Sequence, residues 1–333
     1  MRRRACLAWL LWASVAFVLA DSQAASEANL QAHRFAVIGH ALRTDVADDA
    51  HDGRLKDAFE RADRAAPDFV VAMGIKAADE PCLDTLYGKR RDLYDHARRP
   101  MIVVPAASDW SGCIDGDGTG VSTQRLSRIR ELFYGDALSL GRKPIEVTRQ
   151  SATAKYRRYA ENAQWETGNV LYATLNLPAN NNNYIGDAGR NNEFEDRWIA
   201  NRYWLKRVFT HAQRSGAAAV VLFAEGDIKI LTPKRSLLAR LRRQPTLAQD
   251  GFLHTRRLVG TLAQKFPGKV LVVDTAALAK GAKPALEWRE RIGHLSVGAE
   301  VVTVDVAPGT PTLFTVAVAK APLREPVKGG KKK

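Results

Sequence analysis

The chain has 333 residues, with 50 lysines and arginines against 36 acidic residues, and carries a formal net charge of +14. Hydrophobic residues make up 46% and charged residues 26%, which excludes a disordered chain, a fibrous repeat and a multi-span membrane protein. The length suits one large α/β domain or two small ones. The basic excess is typical of nucleic-acid or anionic-surface binding, so its position along the chain matters.

The first 24 residues have the three parts of a secretory signal peptide. Three arginines stand at positions 2–4, an apolar run covers 6–20, and the small residues Ser22 and Ala24 follow. The run is shorter than the roughly 20 residues of a membrane-spanning helix. We therefore predict cleavage after residue 24 and a periplasmic or secreted protein. The alternative is an uncleaved anchor in the inner membrane.

Three cysteines are present, and Cys6 lies in the predicted signal peptide. The pair that remains, Cys82 and Cys113, predicts a disulfide in an oxidising compartment. Two separate buried thiols are the alternative. Two cysteines alone are too few for a structural zinc site.

The order of apolar patterns predicts an α/β fold. Short apolar runs predict buried strands at 35–39, 69–73, 101–105, 170–177, 218–224 and 270–274. Apolar residues at helical spacing predict helices at 53–65, 83–98, 123–133, 193–214 and 246–266. This alternation favours a largely parallel sheet at the start of the domain. Three consecutive runs then predict an antiparallel ending, at 291–296, 300–306 and 312–318.

The helix at 193–214 has the clearest boundaries. Asn192 is its predicted N-cap with Glu195 as the capping-box partner, and Gly216 is its predicted end. Its apolar stripe predicts core packing and not an aromatic surface for stacking nucleotide bases.

Several predicted strands end in polar segments that appear in a recognisable order. These segments are Gly39-His40, Gly74-Ile75-Lys76, Ala107-Ser108-Asp109-Trp110, Glu161-Asn162 and Asn176-Leu177 running into the asparagines at 180–183. The order and the residue types of these segments resemble those of the calcineurin-like metallophosphoesterases, in particular the exported bacterial branch, over roughly residues 34–318. The resemblance implies a single domain at 25–322, folded as a four-layer α-β-β-α sandwich of mixed sheets with antiparallel C-terminal strands.

Active members of that family hold two divalent metal ions about 3.5–4 Å apart with Asp, His and Asn side chains. This sequence departs from the family motifs at nearly every ligand. His40 stands near the place of the first Asp-x-His pair, and Lys76 stands where a bridging Asp is expected. In the later motifs acids replace the expected Asn and His ligands, and these acids are Asp109, Glu225, Asp227 and Asp274.

Two interpretations follow from these departures. In the favoured one the fold is kept, the two-metal site is lost, and the protein is a non-catalytic binding or scaffold protein without a cofactor. In the alternative, a divergent metal-dependent phosphoesterase holds one hard cation with His40, Asp109, Asp227 and Asp274, and with Glu225 as a further ligand. Each residue also has an ordinary structural role open to it, such as a hydrogen-bonded histidine at a strand end or an acidic turn.

The asparagine-rich loop is the richest polar segment of the chain. Asn180, Asn181, Asn182, Asn183 and the nearby Arg190 predict a ligand-contacting rim at the mouth of the sheet. The alternative is a purely structural loop, since asparagine tolerates left-handed backbone. The motifs of serine hydrolases, P-loop proteins, dinucleotide-binding proteins and zinc proteases do not occur in the sequence.

The basic charge lies mainly at the periphery of the chain. Removal of residues 1–24 takes away three arginines and one aspartate, which leaves +12. Basic residues then cluster at 234–243 and in a tail at 323–333 that we predict to be disordered. No aromatic residues alternate with either cluster, as base stacking requires. We therefore expect no specific nucleic-acid binding. Anionic envelope components are the expected partners, and polyanion binding is a third possible function.

Overall fold

The computed structural model describes residues 31–40, 49–186, 191–232 and 250–319. The predicted signal peptide, Arg190, the basic cluster at 234–243 and the basic tail lie outside the described residues. Within the described ranges no helix combines the length and the apolar character needed to cross a membrane.

The strands of the described residues form two mixed sheets. In chain order they are β1 (His33–Ile38), β2 (Phe69–Met73), β3 (Met101–Val104), β4 (Thr148–Arg149), β5 (Ala163–Thr167), β6 (Val170–Thr174), β7 (Ala219–Phe223), β8 (Lys269–Asp274), β9 (Glu287–Arg289), β10 (Ile292–Ser296), β11 (Val301–Val306) and β12 (Phe314–Val318). The five-stranded sheet has the order β12-β11-β1-β2-β3, and the seven-stranded sheet has the order β4-β5-β6-β7-β8-β10-β9. The predicted α/β class is confirmed.

Parallel pairing dominates the centre of each sheet. β1, β2 and β3 run parallel in the five-stranded sheet, and β6, β7, β8 and β10 run parallel in the seven-stranded one. Parallel strands end at the same edge of a sheet, so the loops that follow these strands lie side by side. This edge is where the polar segments of the sequence come together.

Six α-helices of the described residues accompany the sheets: α1 (Asp49–Asp63), α2 (Asp84–Asp95), α3 (Ala107–Trp110), α4 (Ser122–Phe133), α5 (Asn192–Ser215) and α6 (Leu253–Lys265). Helix α5 ends as predicted, because Gly216 adopts the left-handed conformation with φ 67° and donates its N–H to the carbonyl of Ala212. At the other end, the residue that caps the helix is Asn191, and Asn192 is already its first helical residue.

One hydrophobic core lies between the two sheets and takes side chains from both. Phe35 and Phe69 of the five-stranded sheet pack against Trp165, Tyr172 and Phe223 of the seven-stranded one. The ring centroids of Phe69 and Trp165 are 5.3 Å apart in an edge-to-face arrangement, which is favourable for aromatic pairs.

Two further cores cover the outer faces of the sheets. The outer face of the five-stranded sheet packs against α1, α2, α3 and α4, and that of the seven-stranded sheet packs against α5 and α6. Alternate residues of a strand face opposite sides of the sheet, so the strand sequence assigns each side chain to an inner or an outer core.

The predicted antiparallel ending is correct for only part of the C-terminal segment. β11 and β12 pair antiparallel, as expected. β10 was expected to precede them in the same antiparallel array, but it lies in the other sheet and runs parallel to β8. Its antiparallel partner is the short strand β9, which the sequence analysis did not predict. The apolar alternation of β10 fits either sheet, so the local pattern could not decide which one it joins.

Candidate functional site

A cavity of about 900 Å³ opens at the carboxyl edge of the parallel strands. It is lined by side chains that follow five strands: His40 after β1, Lys76 after β2, Ser108 after β3, Asn180 after β6 and Glu225 after β7. Ligands in open α/β sheets commonly bind at such an edge. We call this cavity the central cleft.

Asp109, a predicted metal or catalytic candidate, is fully buried beside the cleft. Its Oδ1 accepts hydrogen bonds from the N–H groups of Ile75 and Lys76, each at 2.9 Å, and its Oδ2 accepts one from Ala106 at 2.6 Å. Burial raises the pKa of the Asp109 carboxyl to about 6, and the three N–H donors oppose that rise. Asp109 therefore joins the loop after β2 to the loop after β3.

Glu225 connects the two sheets at the floor of the central cleft. Its Oε2 accepts hydrogen bonds from the N–H of Ala107, at 2.5 Å, and of Ala179, at 2.8 Å. Its other oxygen, Oε1, lies 3.8 Å from Nδ1 of His40. Burial raises the pKa of Glu225 to about 7 and lowers the pKa of His40. Burial therefore disfavours the charged form of both side chains.

Lys76 places an ammonium group at the same buried edge, with only 2% of the residue exposed. Its Nζ donates hydrogen bonds to the carbonyl oxygens of Ala77, at 2.8 Å, and Glu80, at 2.7 Å. Burial lowers the pKa of Lys76, while the charges of Asp109, Glu80 and Asp79 oppose that change. The Glu80 carboxylate in turn pairs with the buried guanidinium of Arg90. The position after β2 therefore carries a hydrogen-bonded cation and not a free carboxylate.

The predicted disulfide is present and borders the central cleft. Cys82 and Cys113 are joined across a sequence separation of 31 residues, with a Cα–Cα distance of 5.8 Å. Each half-cystine precedes an exposed apolar residue at the cleft: Leu83 is 55% exposed and Ile114 is 66% exposed. The disulfide holds these two side chains together as an apolar rim.

Of the four predicted asparagines, Asn180 lines the central cleft. Its Nδ2 donates a hydrogen bond to Oγ of Ser111 at 2.9 Å. The next three asparagines have left-handed backbone, with φ of 54°, 57° and 52° at Asn181, Asn182 and Asn183. Asparagine tolerates this conformation better than most residues.

The side chains of these three asparagines bind other parts of the chain. Asn181 Oδ1 accepts a hydrogen bond from the N–H of Gly251 at 2.8 Å, and Asn182 Nδ2 donates to the carbonyl of the same residue at 3.0 Å. Asn182 also accepts a hydrogen bond from the buried Arg197, and Asn183 donates to Glu193. The contacts of these three residues are those of a structural loop.

The other two predicted metal candidates, Asp227 and Asp274, do not join His40 and Asp109. They lie beside His294, and the potential ligand atoms of these three residues are all within 4.8 Å of one another. Nε2 of His294 is 2.6 Å from Oδ2 of Asp274 and 3.7 Å from Oδ1 of Asp227. The Ser296 hydroxyl donates to Oδ1 of Asp274 at 2.7 Å. We call Asp227, Asp274 and His294 the acid–histidine cluster.

Strand alternation separates the acid–histidine cluster from the central cleft. In β8, Val273 faces the core between the sheets, so the next residue, Asp274, faces the outer side. In β10, Leu295 faces the inner core, so His294 faces outward as well. Glu225 instead continues the inward alternation of Phe223 in β7. The single four-residue metal site of the alternative interpretation is therefore divided between two faces of the seven-stranded sheet.

His294 is not predictable as a ligand from its sequence neighbours, because no ligand-spaced partner stands near it in the chain. One signal could have indicated it. His294 and Ser296 alternate within a predicted strand and so share a face, and a parallel neighbour ending in Asp274 brings a carboxylate to that face.

Comparison with known proteins found no family whose model matches the chain and no significantly similar curated protein.

Proposed function

We propose that the protein is an exported, non-catalytic binding protein on a degenerate calcineurin-like phosphoesterase fold. The three hydrophobic cores support the four-layer sandwich of that family, because they order the layers as helices, sheet, sheet and helices. The position of the central cleft at the carboxyl ends of β1, β2, β3 and β7 is also the position at which the family holds its metals.

The observation that carries the non-catalytic proposal is the bonding of the charged groups at this edge. A two-metal site requires carboxylates with free lone pairs directed at the ions. Here both oxygens of Asp109 and one oxygen of Glu225 accept main-chain N–H groups. The ammonium of Lys76, where a bridging carboxylate is expected, repels a divalent cation. The charged side chains at this edge are thus hydrogen-bonded to main-chain groups of the protein.

The lining of the central cleft indicates the class of ligand. Its polar lining includes His40, Ser108 and Asn180, which offer hydrogen bonds, together with the charged side chains of Lys76, Arg125 and Asp115. Its rim presents the exposed side chains of Leu83 and Ile114. A volume of about 900 Å³ is large enough for a drug-sized molecule. We propose a small amphiphilic ligand whose polar end reaches the floor while its apolar part contacts the rim.

The probe for this proposal is 1-anilinonaphthalene-8-sulfonate, which combines an apolar ring system with a polar head and fluoresces when bound. The wild-type protein is expected to bind it with 1:1 stoichiometry. Ser108→Trp places an indole ring in the cleft and is expected to weaken binding at least tenfold. Ile114→Asp alters a side chain that is 66% exposed and should weaken binding without affecting the core. The matched control Ser215→Trp changes an exposed serine at the end of α5.

Equal affinity of Ser108→Trp, Ile114→Asp and the wild type would contradict a binding site in the cleft, and so would the absence of any binding. Circular dichroism of each variant separates a lost site from a lost fold. On this proposal, bis(p-nitrophenyl) phosphate and p-nitrophenyl phosphate are not hydrolysed above background when Mn²⁺ or Zn²⁺ is added.

One observation favours the alternative, a divergent metal-dependent phosphoesterase. His40 and Glu225 both line the cleft, and the 3.8 Å between Nδ1 and Oε1 leaves these two atoms available to a cation or a substrate proton. On this alternative, the two nitrophenyl phosphates are hydrolysed in the presence of metal, and His40→Ala abolishes the turnover. The third function, polyanion binding, depends on basic residues outside the described part of the chain. Steeply salt-dependent binding to acidic lipid vesicles would support it.

A further inference from the structure

The acid–histidine cluster brings three metal-ligating side chains together on rigid elements. Asp274 ends β8 and His294 lies in the adjacent parallel strand β10. Asp227 follows β7, and its Oδ1 is fixed by the N–H of Lys229 at 2.5 Å. Asp274 and His294 thus come from neighbouring strands of one sheet, and Asp227 comes from the loop after β7, which is the other neighbour of β8.

Carboxylates outnumber the imidazole in this cluster. Two carboxylates lie within 4.8 Å of a single imidazole, and Asp274 is completely buried. Lys229 adds a positive charge near Asp227, and a divalent cation held by the three side chains would offset the charge of both carboxylates further.

Access to solvent is also of the kind a metal site needs. The Asp227 side chain is 26% exposed and that of His294 is 16% exposed, while Asp274 forms the closed back of the cluster. An ion could therefore reach the three donors from one side and keep water on its remaining positions.

We propose that Asp227, Asp274 and His294 bind one divalent transition-metal cation, at a site separate from the central cleft. The donor set of one imidazole and two carboxylates is typical of Zn²⁺ and Mn²⁺, whereas Mg²⁺ and Ca²⁺ prefer oxygen ligands only. The site does not depend on the function of the cleft, since it lies on the other face of the seven-stranded sheet.

Binding requires a small local movement. The 2.6 Å between Nε2 of His294 and Oδ2 of Asp274 is a hydrogen-bond distance, whereas tetrahedral Zn²⁺ ligands at about 2.0 Å from the ion stand roughly 3.3 Å apart. The two groups therefore separate by about 0.7 Å as the cation replaces the proton between them. A change of side-chain torsion at the half-buried His294 is enough to allow this.

The test is isothermal titration of the full mature chain, without a polyhistidine tag, with ZnCl₂, MnCl₂ and MgCl₂. The expected result is one Zn²⁺ per chain, weaker binding of Mn²⁺ and no measurable binding of Mg²⁺. His294→Gln and Asp227→Asn should each weaken Zn²⁺ binding at least tenfold. We do not substitute Asp274, because its Oδ1 also accepts hydrogen bonds from the N–H of Ala276 and from the Ser296 hydroxyl.

The matched control is His254→Gln, which alters a histidine that stacks on Trp198 outside the cluster. It should leave Zn²⁺ affinity unchanged. Co²⁺ provides a second measurement, because an imidazole-bound Co²⁺ gives visible absorption that His294→Gln should remove. Zn²⁺ should also raise the melting temperature of the wild type and not that of His294→Gln. Failure to bind Zn²⁺, or equal affinity of the wild type and both cluster variants, would overturn the proposal and leave the cleft proposal unaffected.

Discussion

Replacement of Glu225 by glutamine is expected to stabilise the protein at alkaline pH and to leave its stability nearly unchanged at acidic pH. Burial raises the pKa of Glu225 from its ordinary 4.5 to about 7. A tenfold change in a protonation equilibrium corresponds to about 1.4 kcal/mol, so this rise corresponds to about 3 kcal/mol. The carboxyl is only 4% exposed, so solvent screening removes little of that energy.

The sign of this pH dependence of stability follows from proton linkage. Below pH 4.5 the Glu225 carboxyl is protonated in both the folded and the unfolded chain. Between pH 4.5 and about 7 the unfolded chain releases this proton while the folded chain keeps it, so the stability contributed by Glu225 declines as the pH rises. Above pH 7 the ionised carboxylate is buried at the full cost of about 3 kcal/mol.

Glutamine removes this titration and keeps the structural role of the side chain. Its carbonyl oxygen can accept the N–H groups of Ala107 and Ala179, and its amide nitrogen takes the position of Oε1 beside His40. We therefore expect Glu225→Gln to raise the free energy of unfolding by about 2–3 kcal/mol at pH 8 and to change it by less than about 1 kcal/mol at pH 4.5.

The assay is urea unfolding of the wild type and Glu225→Gln at pH 4.5, 6 and 8, followed by circular dichroism. Glu146→Gln is the matched control, because it makes the same substitution at an exposed position and should leave the stability unchanged at all three pH values. An equal effect of Glu225→Gln at pH 4.5 and pH 8 would refute the reasoning, since it would mean that folding does not change the pKa of Glu225.

Three further substitutions test the remaining structural claims by urea unfolding. The free energy of unfolding of the double variant Cys82→Ser/Cys113→Ser should be about 3–4 kcal/mol lower than that of the wild type, as expected for a loop of this length. A decrease below about 1 kcal/mol would contradict a constraining disulfide. Asp109→Ala should lower the free energy of unfolding by about 1–3 kcal/mol at pH 7, because it leaves the buried N–H groups of Ile75, Lys76 and Ala106 without their acceptor; an unchanged midpoint would contradict the bonding of Asp109. Glu161 is buried, yet the two hydrogen bonds and the charge of Arg130 outweigh that burial and lower the pKa of Glu161. Glu161→Gln should therefore lower the free energy of unfolding by about 3 kcal/mol at pH 7. The difference from the wild type should decrease as the pH falls below about 4.5, and a difference independent of pH would contradict the ion pair.

The sequence by itself determined the secondary structure of the parallel strands, since a run such as 69–73 is apolar at every position and is bounded by Asp68 and Gly74. It also determined the end of α5, because Gly216 is the residue that adopts a left-handed conformation without strain. The disulfide was predictable from the number of cysteines left outside the predicted signal peptide. These features depend on residues that are close in the chain or on a simple count.

Tertiary structure alone decided the sheet that β10 joins and the bonding of the candidate site. Asp109 and Glu225 looked alike as acids after strands, and their roles depend on which main-chain N–H groups the neighbouring loops bring to them. His294 gained its partners only because β10 pairs in parallel with β8. The physical reason is that hydrogen bonds and charge pairs act over a few ångströms, whereas the groups that meet here are far apart along the chain, as are Ala107 and Glu225 with a separation of 118 residues.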